Sequence, residues 1–279
     1  MPTEPGRGGL PRIVLRADDG GRAEVYLHGA HVTSWTTPDG REQLYLSERA
    51  VFDGRAAIRG GVPVIFPQFA GEGPLPKHGF ARGRSWQLVD AATAGPTPYV
   101  VLHLTDDAET RAVWPFGFLA SYRVELVDGS LRMSLSVHNP GDEPITFTAA
   151  LHTYLRLDDA FAARVRGLQG STYRDSTRGG ETSVQREAEL AVGDDLNRIY
   201  VDVPGIVGIM DGGREVRSAM RGFRDVVVWN PGRRGEASLG DMESGGAARM
   251  LCVEAAIIGT PACVPANGSW TGSQRLTAQ

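Results

Sequence analysis

Apolar residues in this chain come in short runs cut off by glycine, proline and other turn formers, and almost nowhere with the 3.6-residue period of an amphipathic helix. Residues 24–28, 99–104, 121–127, 131–137 and 225–229 are rich in β-branched and aromatic side chains, and many alternate apolar with polar positions, the pattern of half-buried strands. The chain has 36 Gly and 17 Pro, enough turn formers to separate many such strands. Asp128-Gly129-Ser130 predicts a hairpin, and Asn139-Pro140-Gly141-Asp142 predicts a second, joining 131–137 to a strand over 145–155. Short helical turns are expected only at 107–113 and 236–245. The expected fold is all-β, a large antiparallel β-sandwich. No repeat or composition shift divides the chain, so residues 1–279 are read as one domain, with 1–10 as a flexible tail and the polar stretch 170–197 as a long excursion between strands.

Composition narrows the function classes. Of 279 residues, 41% are hydrophobic and 22% charged, with a formal net charge of −4, which argues against both disorder and nucleic-acid binding. The longest apolar runs, 62–67 and 251–258, are too short to span a membrane. The N-terminus has no apolar core of a signal sequence, so a cytoplasmic location is expected. Cys252 and Cys263 are too few for a disulfide scaffold or a zinc cage and read as small buried hydrophobes. There is no phosphate loop, nucleotide-binding glycine turn, Gly-x-Ser-x-Gly elbow or His-Glu-x-x-His pair, so neither cofactor nor metal is expected. Among the 29 basic residues, Lys77 is the single lysine.

Three stretches carry polar groups suited to chemistry. In Ala57-Ile-Arg-Gly-Gly-Val-Pro-Val-Ile-Phe-Pro-Gln68, two glycines relax the backbone after Arg59 and two prolines frame a short apolar strand, so the arginine is presented at a rigid loop edge. Just downstream, Lys77, His78, Arg82 and Arg84 form a cationic cluster suited to a phosphate or sugar hydroxyls; a solvated basic loop is the alternative. Along 145–155, strand alternation puts Ile145, Phe147, Ala149 and Leu151 on one face and Thr146, Thr148, Ala150, His152 and Tyr154 on the other. A ligand reaches His152 on that second face, unless it is a structural histidine. Along 249–258, Glu254 interrupts an apolar strand and shares a face with Met250, Cys252, Ala256 and Ile258. Such a carboxylate is costly to bury unless it is paired with an arginine or put to use. His28, His31, His103 and His138 read as structural.

The blocks Ile58-Arg-Gly-Gly-Val-Pro-Val-Ile-Phe-Pro67, Leu75-Pro-Lys-His-Gly-Phe-Ala-Arg82, Ala150-Leu-His-Thr-Tyr154, Val228-Trp-Asn-Pro231 and Cys252-Val-Glu-Ala255 follow the order of the aldose 1-epimerase superfamily, and the chain resembles its hexose-6-phosphate mutarotase branch. The resemblance implies a galactose mutarotase-like supersandwich with the sugar on its concave face. It makes His152 and Glu254 the catalytic pair, with Arg59, Lys77, His78, Arg82 and Asn197 binding substrate. Two positions depart from the pattern: Lys77 stands where glutamine is usual, and Asn197 where an aspartate is usual. The implied reaction is interconversion of the α and β anomers of a hexose 6-phosphate, glucose 6-phosphate above all, with Glu254 as base and an imidazolium at His152 as acid. A small-molecule sugar phosphate is the expected partner, with no nucleic acid or membrane, and the protein is expected to be a monomer. The rival readings are a mutarotase for unphosphorylated aldoses and a non-catalytic carbohydrate-binding sandwich.

Overall fold

The computed structural model describes residues 3–279. It contains a nine-stranded sheet, an eight-stranded sheet and a smaller five-stranded one. Apart from one short parallel pairing of Arg16–Ala17 with Ala94–Gly95, every strand pairing is antiparallel. The main core lies between the two large sheets, because alternate residues of each strand point inward: Leu151, Val253, Ala255 and Ile257 from one sheet meet Leu135, Val137 and Leu276 from the other. The small sheet adds Ile13, Leu15, Val25 and Trp35 to the same core. Among the described residues no helix is long and apolar enough to cross a membrane.

Hairpin chemistry holds where it was strongest. Asp128 and Gly129 both have positive φ, 49° and 66°, and join Leu119–Val127 to Ser130–His138 with Ser130 opposite Val127, the geometry favoured by right-twisted strands. The second predicted hairpin does not form. Ser130–His138 already has Leu119–Val127 on one side and Ser269–Ala278 on the other. The turn after Asn139 therefore carries the chain across to the other large sheet, where Ile145–Leu151 pairs with Met250–Val264.

Several other expectations are corrected. The chain from Glu4 is not a loose tail: Glu4–Pro5 pairs with Pro11–Arg12, and the Arg7 N–H donates to the Tyr26 hydroxyl at 2.9 Å; Met1 and Pro2 lie outside the described residues. A capping box between Asp107 and Thr110 starts the helix Ala108–Val113 as expected. The other helix is Gly232–Glu236, so 236–245 begins where it ends. Those turns are pinned instead by the Glu236 carboxylate, which accepts from the N–H groups of Gly245 and Ala247. Cys252 is buried but Cys263 is exposed, because alternation along Met250–Val264 sends its neighbours Ala262 and Val264 inward. The excursion 170–197 contains the strand pair Thr172–Asp175 and Glu181–Val184, which extends the eight-stranded sheet at its edge.

Candidate active site

The outer face of the eight-stranded sheet places side chains in rows, one per register position. Ile199 faces Val227, which faces Glu254. Leu151 opposes Ala255 and Tyr154 opposes Cys252, so the unbroken register sets His152 opposite Glu254. The next row runs Asn197, Trp229, Cys252 and Tyr154. Directly opposed side chains in an antiparallel pair are close neighbours, and here the His152 Nε2 lies 3.5 Å from the Glu254 Oε1. That is beyond an ordinary hydrogen bond. His152 Nδ1 and Glu254 Oε2 are buried with no hydrogen-bond partner among the described residues.

Burial dominates the electrostatics of the pair. Glu254 is walled by Val227, Ile199 and Ala256, and desolvation raises its pKa well above the usual carboxylate range, with Arg82 only partly opposing. The same burial lowers the pKa of His152 well below its ordinary value, helped by His78, Arg82 and Arg59. The free site therefore favours a carboxylic acid beside a neutral imidazole. The carboxylate–imidazolium arrangement expected for the reaction holds the same single proton. The alternative of a buried Glu–Arg ion pair is not what forms, since the group closest to the carboxylate is the histidine.

Three aromatic rings fix His152. Tyr154 stacks on it with centroids 4.8 Å apart and planes at 12°, while Trp229 and His78 approach edge-on at 5.9 and 5.6 Å. His78 adopts φ 69°, and its Nδ1 accepts from the Ala70 N–H at 3.2 Å. The neutral ring must then carry its hydrogen on Nε2, and burial with the nearby charges of Arg82, Lys77 and Arg59 pushes its pKa down to about 3. His78 thus offers a neutral N–H donor rather than a cation.

Arg59 is presented by its glycine loop as the sequence implies. Gly61 has φ 60°, and a Cβ there would fall 2.2 Å from the Val32 carbonyl oxygen and 2.9 Å from His31 Nε2. His31 itself donates through Nε2 to the Gly60 carbonyl at 2.7 Å. The loop is stitched to the site by N–H donations from Tyr154 to Gly61 O and from His152 to Pro63 O. Two of the guanidinium nitrogens are committed: Nε to Asp241 at 3.1 Å and Nη1 to the Tyr154 hydroxyl at 3.0 Å. Arg82 differs. It is half-buried; among the described residues its one protein hydrogen bond is to the Lys77 carbonyl at 3.1 Å, and neither Arg82 nor Lys77 forms a salt bridge. Burial and Arg59 pull the Arg82 pKa below its usual value.

One cavity of about 300 Å³ is lined by all seven residues singled out from sequence, namely Arg59, Lys77, His78, Arg82, His152, Asn197 and Glu254. Arg84 belongs elsewhere, paired with Asp107 and Glu109. Sequence reasoning assigned no role to Tyr154, Trp229, Phe69 or Asp241. Alternation puts Trp229 on the face of Val227 and Tyr154 on that of His152, a usable signal, whereas nothing local connects Asp241 to Arg59. At the rim, the Glu72 carboxylate is held by Arg174 beside Lys77 and Ser176.

The chain is similar to known proteins in sequence and fold. A Cenchrus ciliaris protein named "Putative glucose-6-phosphate 1-epimerase" is 32% identical over 280 residues, covering 97% of this chain and 85% of its own. An Escherichia coli K12 protein of the same name is 33% identical over 241 residues, 84% of this chain and 79% of its own. The crystal structure of a Salmonella typhimurium protein described as a "putative mutarotase" superposes with a TM-score of 0.89 at 27% identity, covering 96% of this chain and 90% of that one. The family model for aldose 1-epimerase matches residues 11–277, and with nearly the whole chain inside that match, the protein belongs to the aldose 1-epimerase family and is a sugar epimerase.

Proposed function

We propose that this epimerase interconverts the α and β anomers of a hexose 6-phosphate, glucose 6-phosphate foremost, with His152 and Glu254 as the acid–base pair. The observation that carries the phosphate is Arg82, a half-buried guanidinium in the cavity wall that forms no salt bridge among the described residues. A partly desolvated guanidinium without an ion-pair partner is suited to a charge-assisted, bidentate bond to an anion. Lys77 adds a second cation at the rim, and the Arg59 Nη2 has no hydrogen-bond partner among the described residues. The names of the relatives point the same way.

Ring opening removes the proton from the anomeric hydroxyl and delivers one to the ring oxygen as the bond between C1 and that oxygen breaks. Glu254 as carboxylate takes the first proton and His152 as imidazolium gives the second, leaving an open-chain aldehyde. Rotation about C1–C2 presents the other carbonyl face. Closure then returns both protons, so the enzyme ends as it began. The charged pair forms from the resting neutral pair by moving one proton from carboxyl to imidazole. A phosphate dianion on Arg82 cancels positive charge that lowers both pKa values, so it moves the pH range in which the pair holds its one proton to higher pH. His78, fixed as an Nε2–H donor, steadies negative charge on a sugar oxygen, while Asn197 and the ring of Trp229 line the rest of the pocket.

Anomer exchange measured by NMR line shapes or coupled polarimetry, on glucose 6-phosphate and on glucose, tests the proposal. A kcat/KM for the phosphosugar well above that for the free sugar is expected. Equal values would favour the rival reading of a mutarotase for unphosphorylated aldoses.

A further inference from the structure

We infer that Gln274, on the sheet opposite the pocket and out of reach of any sugar, is a positioning residue for the His152–Glu254 pair. This inference rests on the acid–base roles proposed above.

His152 and Thr153 lie in a gap between the strands Ile145–Leu151 and Tyr154–Arg156. The register runs through the gap unchanged, so Thr153 opposes Val253 just as His152 opposes Glu254. A regular hydrogen-bonded pair would exchange two bonds at Thr153 and Val253. Only one is made: the Val253 N–H donates to Thr153 O at 3.0 Å, whereas the Thr153 N–H turns back to Leu151 O at 2.8 Å. That turn releases the neighbouring His152 N–H to Pro63 O and leaves the Val253 carbonyl without its ladder donor.

Gln274 supplies the missing donor. Its Nε2 donates to Val253 O at 3.2 Å and to Ser218 Oγ at 2.9 Å, and its Oε1 accepts from Thr153 Oγ1 at 2.7 Å. Gln274 and Thr153 are fully buried and Ser218 nearly so. Val253 O can only accept, so the amide orientation is set. One side chain therefore clamps both residues of the cross-strand pair behind the catalytic pair, where the backbone ladder is interrupted. Without the amide, a buried carbonyl is left unpaired, and the chain relieves it by turning the Thr153 N–H back to Val253 O. That rotation swings the peptide carrying His152 and changes its approach to Glu254 and to the substrate.

The test compares Gln274→Met, which keeps the volume and loses the amide, with Thr153→Val and Thr153→Ser. Expected for Gln274→Met and Thr153→Val is a roughly tenfold or greater fall in kcat, since small misplacements of reacting groups cost this much. KM should stay within about twofold, because the anion site is untouched, and the limbs of the pH profile should shift. Thr153→Ser, which retains the hydroxyl, should keep kcat near wild type. If Gln274→Met does not fold, the Thr153→Val and Thr153→Ser pair decides. Equal kcat for those two, or unchanged kcat and pH profile in folded Gln274→Met, overturns the inference. Glu254→Gln in the same assay separates the two claims: an active Glu254→Gln refutes the acid–base reading itself, whereas an inactive Glu254→Gln beside a fully active Gln274→Met refutes only the role of Gln274.

Discussion

His152 faces Glu254 directly across an antiparallel strand pair, Nε2 to Oε1 at 3.5 Å, with burial pressing each toward its neutral form. The working pair holds one proton. A second proton on the imidazole closes the acid side of the activity window, and loss of the shared proton closes the alkaline side. With the histidine pKa lowered and the carboxyl pKa raised, kcat/KM should be bell-shaped. Its acid limb should lie below the ordinary histidine pKa of 6.5 and its alkaline limb above the ordinary carboxylate pKa of 4.5. The profile is best read with unphosphorylated glucose, whose charge does not change across the range.

A phosphate on Arg82 adds negative charge near both groups, which favours imidazolium and disfavours carboxylate. Both limbs of the kcat profile should therefore move to higher pH with glucose 6-phosphate than with glucose. Superimposable kcat profiles would place the phosphate away from Arg82.

Arg82→Ala should raise KM for glucose 6-phosphate about 10- to 100-fold, from a charge-assisted interaction worth roughly 1.5–3 kcal/mol. Turnover of free glucose should change little by comparison. Steady-state kinetics on both sugars checks this, and equal losses on the two would remove Arg82 from the phosphate site.

Lys77 lies at the rim and is exposed, so its charge is better screened. Lys77→Gln should leave kcat intact and raise KM for the phosphosugar a few-fold, an effect that fades with added salt. A substrate profile identical to wild type would make Lys77 a solvated side chain.

His31 supports the arginine loop as a fully buried neutral ring, its pKa pushed down to about 4 mainly by burial. Between that value and the unfolded value near 6.5, the unfolded chain binds a proton that the folded one does not. The stability tied to neutral His31 is thus complete above about pH 6.5 and is lost as pH falls toward 4, on the order of 3 kcal/mol. Thermal unfolding from pH 7 to 4.5 should show Tm falling, with a shallower slope in His31→Gln. In the same loop, Gly61→Ala places a Cβ against the Val32 carbonyl and should cost about 3 kcal/mol or more, visible as a large drop in Tm.

Much of this was legible in the sequence where local rules decide. Alternation put His152 and Tyr154 on one face and Glu254 with Cys252 and Ala256 on another, and both faces line the cavity. Positive-φ residues at Asp128 and Gly129 made a hairpin that turn chemistry predicts. What local rules could not supply was register between distant strands. Nothing near His152 says that Glu254 is its opposite number, and nothing near Asn139 says that the preceding strand has both edges occupied. Asp241 escaped for the same reason, since its partner Arg59 comes from a loop distant in sequence. Protonation also depends on tertiary burial: Val227 and Ile199 wall the pair only after folding, and that burial presses both groups toward their neutral forms.

The most direct measurement is the rate of α–β exchange of glucose 6-phosphate by NMR magnetisation transfer, for wild type, Glu254→Gln and His152→Ala at matched folded concentration. Each substitution should lower exchange by about two to four orders of magnitude while Tm stays near wild type. Exchange at the wild-type rate in either folded variant would contradict the assignment of these two residues as the acid–base pair.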